Sequence, residues 1–155
     1  MRPGIKILRA VVGLLFVGHG AQKLFGWFGG GGPEGTGQFF ESLGLRPGDQ
    51  HATAAGVAEV GGGALLAVGL ATPVAGAALS ANMITAIRRV HAANGPWAAD
   101  GGYEYNLTLL AIVLALTDED AGPGWAIAQL AAGAAGSYLA TDVASQDAPA
   151  ESAAA

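Results

Sequence analysis

The chain has 155 residues, of which 12% are charged and 52% apolar, with 26 glycines; an average soluble domain carries about 25% charged residues. Seven basic and twelve acidic side chains leave most of the surface of a water-soluble sphere of this size without polar cover, and the composition excludes a disordered chain, a coiled coil and a basic nucleic-acid binder. The net charge of -5 belongs to the end of the chain, because up to residue 117 six acidic residues face seven basic ones, and the absence of cysteine removes disulfides, thiolate metal sites, iron–sulfur clusters and a cysteine nucleophile.

Taken in chain order, four apolar stretches approach the ~20 residues needed to cross a bilayer. The first, residues 7–25, has no charge between Arg9 and Lys23. A glycine-rich turn at 26–35 follows, then a short segment at 36–43 whose Phe39, Phe40 and Leu43 suit a membrane interface. The second stretch, 52–71, carries one charge, Glu59. A tight turn leads to the third, 73–90, which begins at Pro73, where a missing N–H costs nothing, and ends at Arg88 and Arg89. The fourth, 103–117, opens on Tyr103 and Tyr105 and stops at Asp118, Glu119 and Asp120.

A further charge-free segment, 125–140, is rich in alanine and glycine, so hydropathy leaves three placements open: a fifth span, an interfacial helix, or a helix packed on the others. The organisation expected is a four-helix membrane domain at 1–125, a helix of unassigned placement at 126–141, and a disordered acidic tail at 142–155. The fold class is all-α, an up-down bundle of four transmembrane helices with that fifth helix in doubt. Glycines inside the spans, such as Gly13, Gly20, Gly56 and Gly63, would each cost roughly 1 kcal/mol in a water-exposed helix. In hydrocarbon they instead allow the close backbone approach that holds helices together.

Three motif readings fail on their context. The glycine run lacks a Lys-Ser/Thr ending and a preceding strand, so it is no phosphate loop. Asn106-Leu107-Thr108 matches a glycosylation acceptor but opens a hydrophobic span. The N-terminal run has the look of a signal peptide, yet three more spans follow it.

Span order and antiparallel packing bring the end of span one, the start of span two, the end of span three and the start of span four to one side. That rim gathers His19, Gln22, Lys23, Glu59, Asn82, Thr85, Arg88, Arg89, Tyr103, Glu104 and Asn106. His19 and Lys23 share a helix face, as do Asn82, Thr85 and Arg89. Glu59, ~10 Å into its span, requires a proton or a cationic partner, with Lys23, Arg88 or Arg89 in reach. A buried pair that only fixes helix register is the plainer reading of the same residues. A bis-histidine haem would need a second histidine at the depth of His19, and His91 lies near a helix end. The opposite rim offers little beyond Arg2, Lys6 and Arg9. These place the N-terminus in the cytoplasm by the weight of the first helix.

The ordered set of motifs, RAVVGLLFVGHGAQKL at 9–24, Glu59-Val-Gly-Gly-Gly, Gly69-Leu-Ala-Thr, Met83 and Ala86, Gly102-Tyr-Glu and Gly122-Pro-Gly, resembles the DoxX family of small four-helix bacterial and archaeal membrane proteins over residues 7–125. The family's Ser-Leu-Asp ending after Gly-Pro-Gly is replaced here by Trp125-Ala-Ile-Ala, so the C-terminal segment does not carry over. The resemblance implies an inner-membrane protein linked to quinone-dependent sulfur oxidation or to oxidative-stress complexes. On this reading Glu59, Lys23 and His19 act on a quinone headgroup, with Gln22, Asn82, Arg88, Arg89, Tyr103, Glu104 and Asn106 around it. No metal is expected. A partner redox protein or a second copy of the chain supplies what this sequence lacks for electron storage. A membrane scaffold for a partner complex, and a small-solute or proton pathway, are the alternatives.

Overall fold

The computed structural model describes residues 2–145 as six α-helices joined by short turns, with no strand among the described residues. Helix α1, Pro3–Phe25, starts with proline in its first turn and ends where Gly26 turns left-handed at φ 68°. Helix α2 is Gly32–Ser42, and α3 is Gly48–Val68, closed by Gly69 at φ 74°. After a three-residue turn, α4 runs Thr72–Ala86 and continues through a π-helical turn, Ile87–His91. Helix α5 is Glu104–Ala121; α6 is Pro123–Tyr138, extended by a second π turn, Leu139–Val143.

The four expected spans correspond to α1, α3, α4 and α5, with shifted ends. Helix α3 begins four residues before the expected span and stops three short of its end. Helix α5 passes through Asp118, Glu119 and Asp120 to reach Ala121. Two helices, Pro3–Phe25 and Gly48–Val68, are long and apolar enough on their own to cross a membrane. Helix α6 packs lengthwise on α4 and more lightly on α5, burying Ala126, Gln129, Gly133 and Ser137 at helical spacing.

Helices α1 and α3 pack most closely. A Cβ on Gly13 would stand 2.5 Å from Gly63 O, and one on Gly20 would stand 2.7 Å from Gly56 O. The two pairs lie seven residues apart on each antiparallel helix, so the backbones touch at intervals of two turns. Helix α4 continues the layer beside α3, α5 follows beside α4, and α2 lies across α3 and α1. Val12, Phe16, Leu66, Leu79, Met83, Val113 and Leu116 form the core. The outer faces are apolar as well: Ile7, Leu14, Val57, Val68, Val74 and Ile127 are each more than half exposed. On α3 Ala52, Gly56, Glu59, Gly62 and Gly63 turn inward while Val57 and Val68 turn outward. That arrangement suits hydrocarbon as the surrounding solvent.

Candidate functional site

Glu59 is the twelfth of twenty-one residues in α3, about 16 Å from its start and deeper than the sequence boundaries implied. Its side chain is 5% exposed, and Lys23 Nζ stands 2.6 Å from Oε2. Of the three cations in prospect, only Lys23 makes this contact. It reaches Glu59 because Gly20 and Gly56 bring α1 and α3 into backbone contact near the same level. Lys23 Nζ also lies 3.5 Å from His19 O, one turn back, and His19 Nδ1 donates to Gln22 Oε1 at 3.1 Å. The charged pair is thus buried at one end and leads through His19 toward the surface.

Beside the pair lies a cavity of about 780 Å³. Its walls come from α1 (Leu15, Phe16, His19, Lys23), α2 (Phe39, Phe40), the start of α3, the end of α4 and the start of α5. Asn82, Thr85 and Arg89 all line it, as their shared helix face requires, and so does Asn106. Asn82 Nδ2 donates to Ala55 O at 3.0 Å, and Asn106 Nδ2 donates to Met83 Sδ at 3.5 Å. The lining therefore combines aromatic and aliphatic walls with an ammonium, a guanidinium, a carboxylate, two amides and three imidazoles.

Gln22, Arg88, Tyr103 and Glu104 occupy the same rim without lining the cavity. Gln22 Nε2 turns to Phe28 O, Glu104 Oε1 accepts from the Ala98 amide at 2.9 Å, and Tyr103 caps α5. The Gln22 and Glu104 side chains thus tie down loops. Conversely, His51, His91, Tyr105 and Thr108 line the cavity although the sequence did not point to them as site residues. Tyr105 and Thr108 had a signal, since they stand one position before and two after Asn106 at the mouth of the same span.

Arg88 and Arg89 meet a different anion. Arg88 Nη2 and Arg89 Nη2 each stand 2.7 Å from Asp142, one per carboxylate oxygen. Arg88 Nη1 donates to Ser137 Oγ at 3.1 Å, and Arg89 Nη2 donates to Thr141 O at 3.0 Å. The two π turns face each other at this point. Hydrogen bonds from Arg88 and Thr141 hold the Asp142 carboxyl below its usual range, with the charges of Arg89 and Arg88 adding to them against a smaller effect of burial. Asp142 thus joins the bundle rather than beginning a solvated tail; residues 146–155 of that expected tail lie outside the described residues.

The opposite rim is also organised, contrary to expectation. Arg9 is 3% exposed and donates through Nη2 to both oxygens of Asp120 at 2.7 Å. Thr72 Oγ1 donates to the same carboxylate at 2.5 Å, and Arg9 Nη1 donates to Leu66 O at 3.2 Å. The acidic end of the fourth span is therefore in part a buried partner, and Arg9 is not available to a headgroup surface. Among the described residues no group of three His, Asp or Glu side chains is arranged to hold a metal ion.

With this geometry in place, comparison with known proteins is informative. The family model described as DoxX matches residues 4–92, from the start of α1 through the π turn of α4. A Bacillus subtilis (strain 168) protein named "Putative oxidoreductase CatD" is 37% identical over 114 residues, which is 74% of this chain and 78% of that protein. No solved structure matches the chain.

Proposed function

Because this chain belongs to the DoxX family of membrane proteins, we propose that it is a multi-pass component of a membrane redox system whose cavity receives a quinone headgroup. Helices α1, α3, α4 and α5 are the spans; α4 with its π turn is about 30 Å long, the thickness of a hydrocarbon core. The N-terminus is cytoplasmic. Lys23 is paired with Glu59 and Arg88 and Arg89 share the single Asp142 carboxylate, and the orientation rests on Arg2 and Lys6 at the start of the first helix, which usually dominates. In a bacterium this is the inner membrane.

The observation that carries the reading is the Lys23–Glu59 pair opening onto an apolar cavity of about 780 Å³, inside the usual ~300–1,000 Å³ of small-ligand pockets. A quinone headgroup is a flat apolar ring with two carbonyl acceptors, and the cavity offers it Phe16, Phe39 and Phe40 as walls and Lys23, His19, Asn82 and Asn106 as donors. When bound, the quinone would supply the electron-accepting chemistry. Lys23 or His19 donates to a carbonyl and fixes the ring's orientation. Glu59 gives or takes the proton that accompanies reduction, with Lys23 stabilising its anion. His19, exposed at the rim, resupplies that proton from water. Electrons come from a partner redox protein, so the chain acts as a subunit.

A second reading, a non-catalytic assembly subunit, is favoured by the Arg9–Asp120 pair on the opposite rim and by the Arg88/Arg89–Asp142 pairs that tie α4 to α6, all of which fix helix register. Equilibrium binding of a decyl-substituted benzoquinone to protein in lipid nanodiscs separates the two. Glu59→Gln and Lys23→Ala should stay folded and inserted while binding weakens about tenfold or more. Unchanged binding, with a co-purifying partner lost instead, would establish the assembly role.

A further inference from the structure

The four spans do not close evenly around the cavity. Helices α1 and α3, α3 and α4, and α4 and α5 pack along their lengths, but α1 and α5 touch over only a few residues. The cavity wall belongs to both helices at that seam, through Leu15, Phe16 and His19 on one side and Tyr105, Thr108 and Leu109 on the other. Leu15 and Tyr105 line the cavity and are 54% and 70% exposed. Wall side chains this exposed mark an opening. Leu15 stands eight residues below Lys23 on α1, about 12 Å deeper, so the opening reaches from the rim well into the hydrocarbon layer. On the other flank, Ser145 Oγ within 3.2 Å of His51 Nε2 and the Asp142 clamp draw the end of α6 across the cavity.

Resting on the quinone reading above, we propose that the ligand is a long-tailed amphiphile that enters sideways from the bilayer between α1 and α5, its ring against the Lys23–Glu59 pair and its hydrocarbon chain leaving through the Leu15–Tyr105–Thr108 seam into lipid. The seam is apolar at the depth of Leu15 and hydroxylated at Tyr105 and Thr108, which matches a chain emerging below and a polar ring passing above. A headgroup without a tail fits the cavity equally well, but has no use for an opening at that depth.

The test uses the full chain in nanodiscs. Thr108→Trp and Leu15→Trp obstruct the seam without touching the charged pair. Binding of the decyl-substituted benzoquinone should weaken about tenfold in both, while a tail-less benzoquinone keeps its affinity within about twofold. Equal losses for the two compounds, or none for either, would overturn the proposal. A second measurement is independent of quinone chemistry. The chain has no cysteine, so Ala55→Cys places a single thiol on the cavity wall. A hexadecyl maleimide dissolved in the bilayer should label it faster than a charged water-soluble thiol reagent, and adding Thr108→Trp should slow only the lipid-borne reagent. Labelling of this kind without benzoquinone binding would leave the opening in place and refute the quinone; benzoquinone binding with labelling from water alone would refute the opening.

Discussion

Arg9 and Asp120 stand 111 positions apart in the chain, and one guanidinium nitrogen bridges both carboxylate oxygens at 2.7 Å. With Thr72 on the same carboxylate and Leu66 O on the same guanidinium, a single ion pair gathers α1, the ends of α3 and α5, and the start of α4. Removing one partner of a buried pair leaves the other uncompensated, at a cost of about 3–5 kcal/mol. Arg9→Met should therefore lower thermal stability in detergent markedly, and the double variant Arg9→Met with Asp120→Leu should recover part of that loss. Additive losses in the double-mutant cycle would mean that the two side chains do not interact.

The glycine contacts between α1 and α3 predict a sharp contrast between two glycines of this helix pair. Gly13→Val places carbon against Gly63 O and Ala67, where no flexible side chain can yield, and should prevent assembly of the pair. Gly61→Ala meets nothing within 4 Å and should be neutral or slightly stabilising. Monodisperse yield in detergent and melting temperature measure both.

Asp142 sets a pH dependence at the end of α6. Its carboxyl is lower in the folded protein than in the unfolded chain, so the stability it contributes is complete above the ordinary carboxylate value near about 4 and is lost as pH falls through the depressed one. Hydrogen exchange of residues 137–143 should therefore remain protected near neutrality and rise only under strongly acidic conditions. Asp142→Asn should show the raised exchange at neutral pH, with no further acid-induced increase from this site.

Side chains on the rim but outside the cavity provide a control. Gln22→Ala, Arg88→Gln and Glu104→Gln should alter loop or helix-end protection while leaving benzoquinone affinity within about threefold. Asn82→Leu and Asn106→Leu, on the cavity wall, should weaken it more. If the two groups of variants behave alike, cavity lining is not what governs binding.

The sequence made the rim to which each ionisable residue belongs readable, but not its full depth or the direction it faces. Apolar runs interrupted by one or two charges placed Lys23, Glu59, Asn82, Arg89 and Asn106 at a common rim, and alternating span direction was enough to bring them together. Gln22, Tyr103 and Glu104 share that depth, yet they face turns, because bonds such as those to Phe28 O and the Ala98 amide depend on loop shapes that periodicity does not encode. Asp118, Glu119 and Asp120 read as a solvated span end; only the extra turn of α5 carries Asp120 round to Arg9. Asp142 was hidden similarly, because its partnership needs α6 to lie along α4 and continue through a π turn.

On the reading proposed above, a quinone ring resides in the cavity beside Lys23 and Glu59. Photolabelling with an azido-benzoquinone carrying a decyl tail, in native-like membranes, followed by peptide mapping, tests it most directly. Label should concentrate on α1 around Leu15–His19, on Phe39 and Phe40 of α2, and on Tyr105–Leu109 of α5, and should disappear with excess unlabelled compound. Label spread over the outward faces of α4 and α6, and unaffected by competition, would contradict the claim.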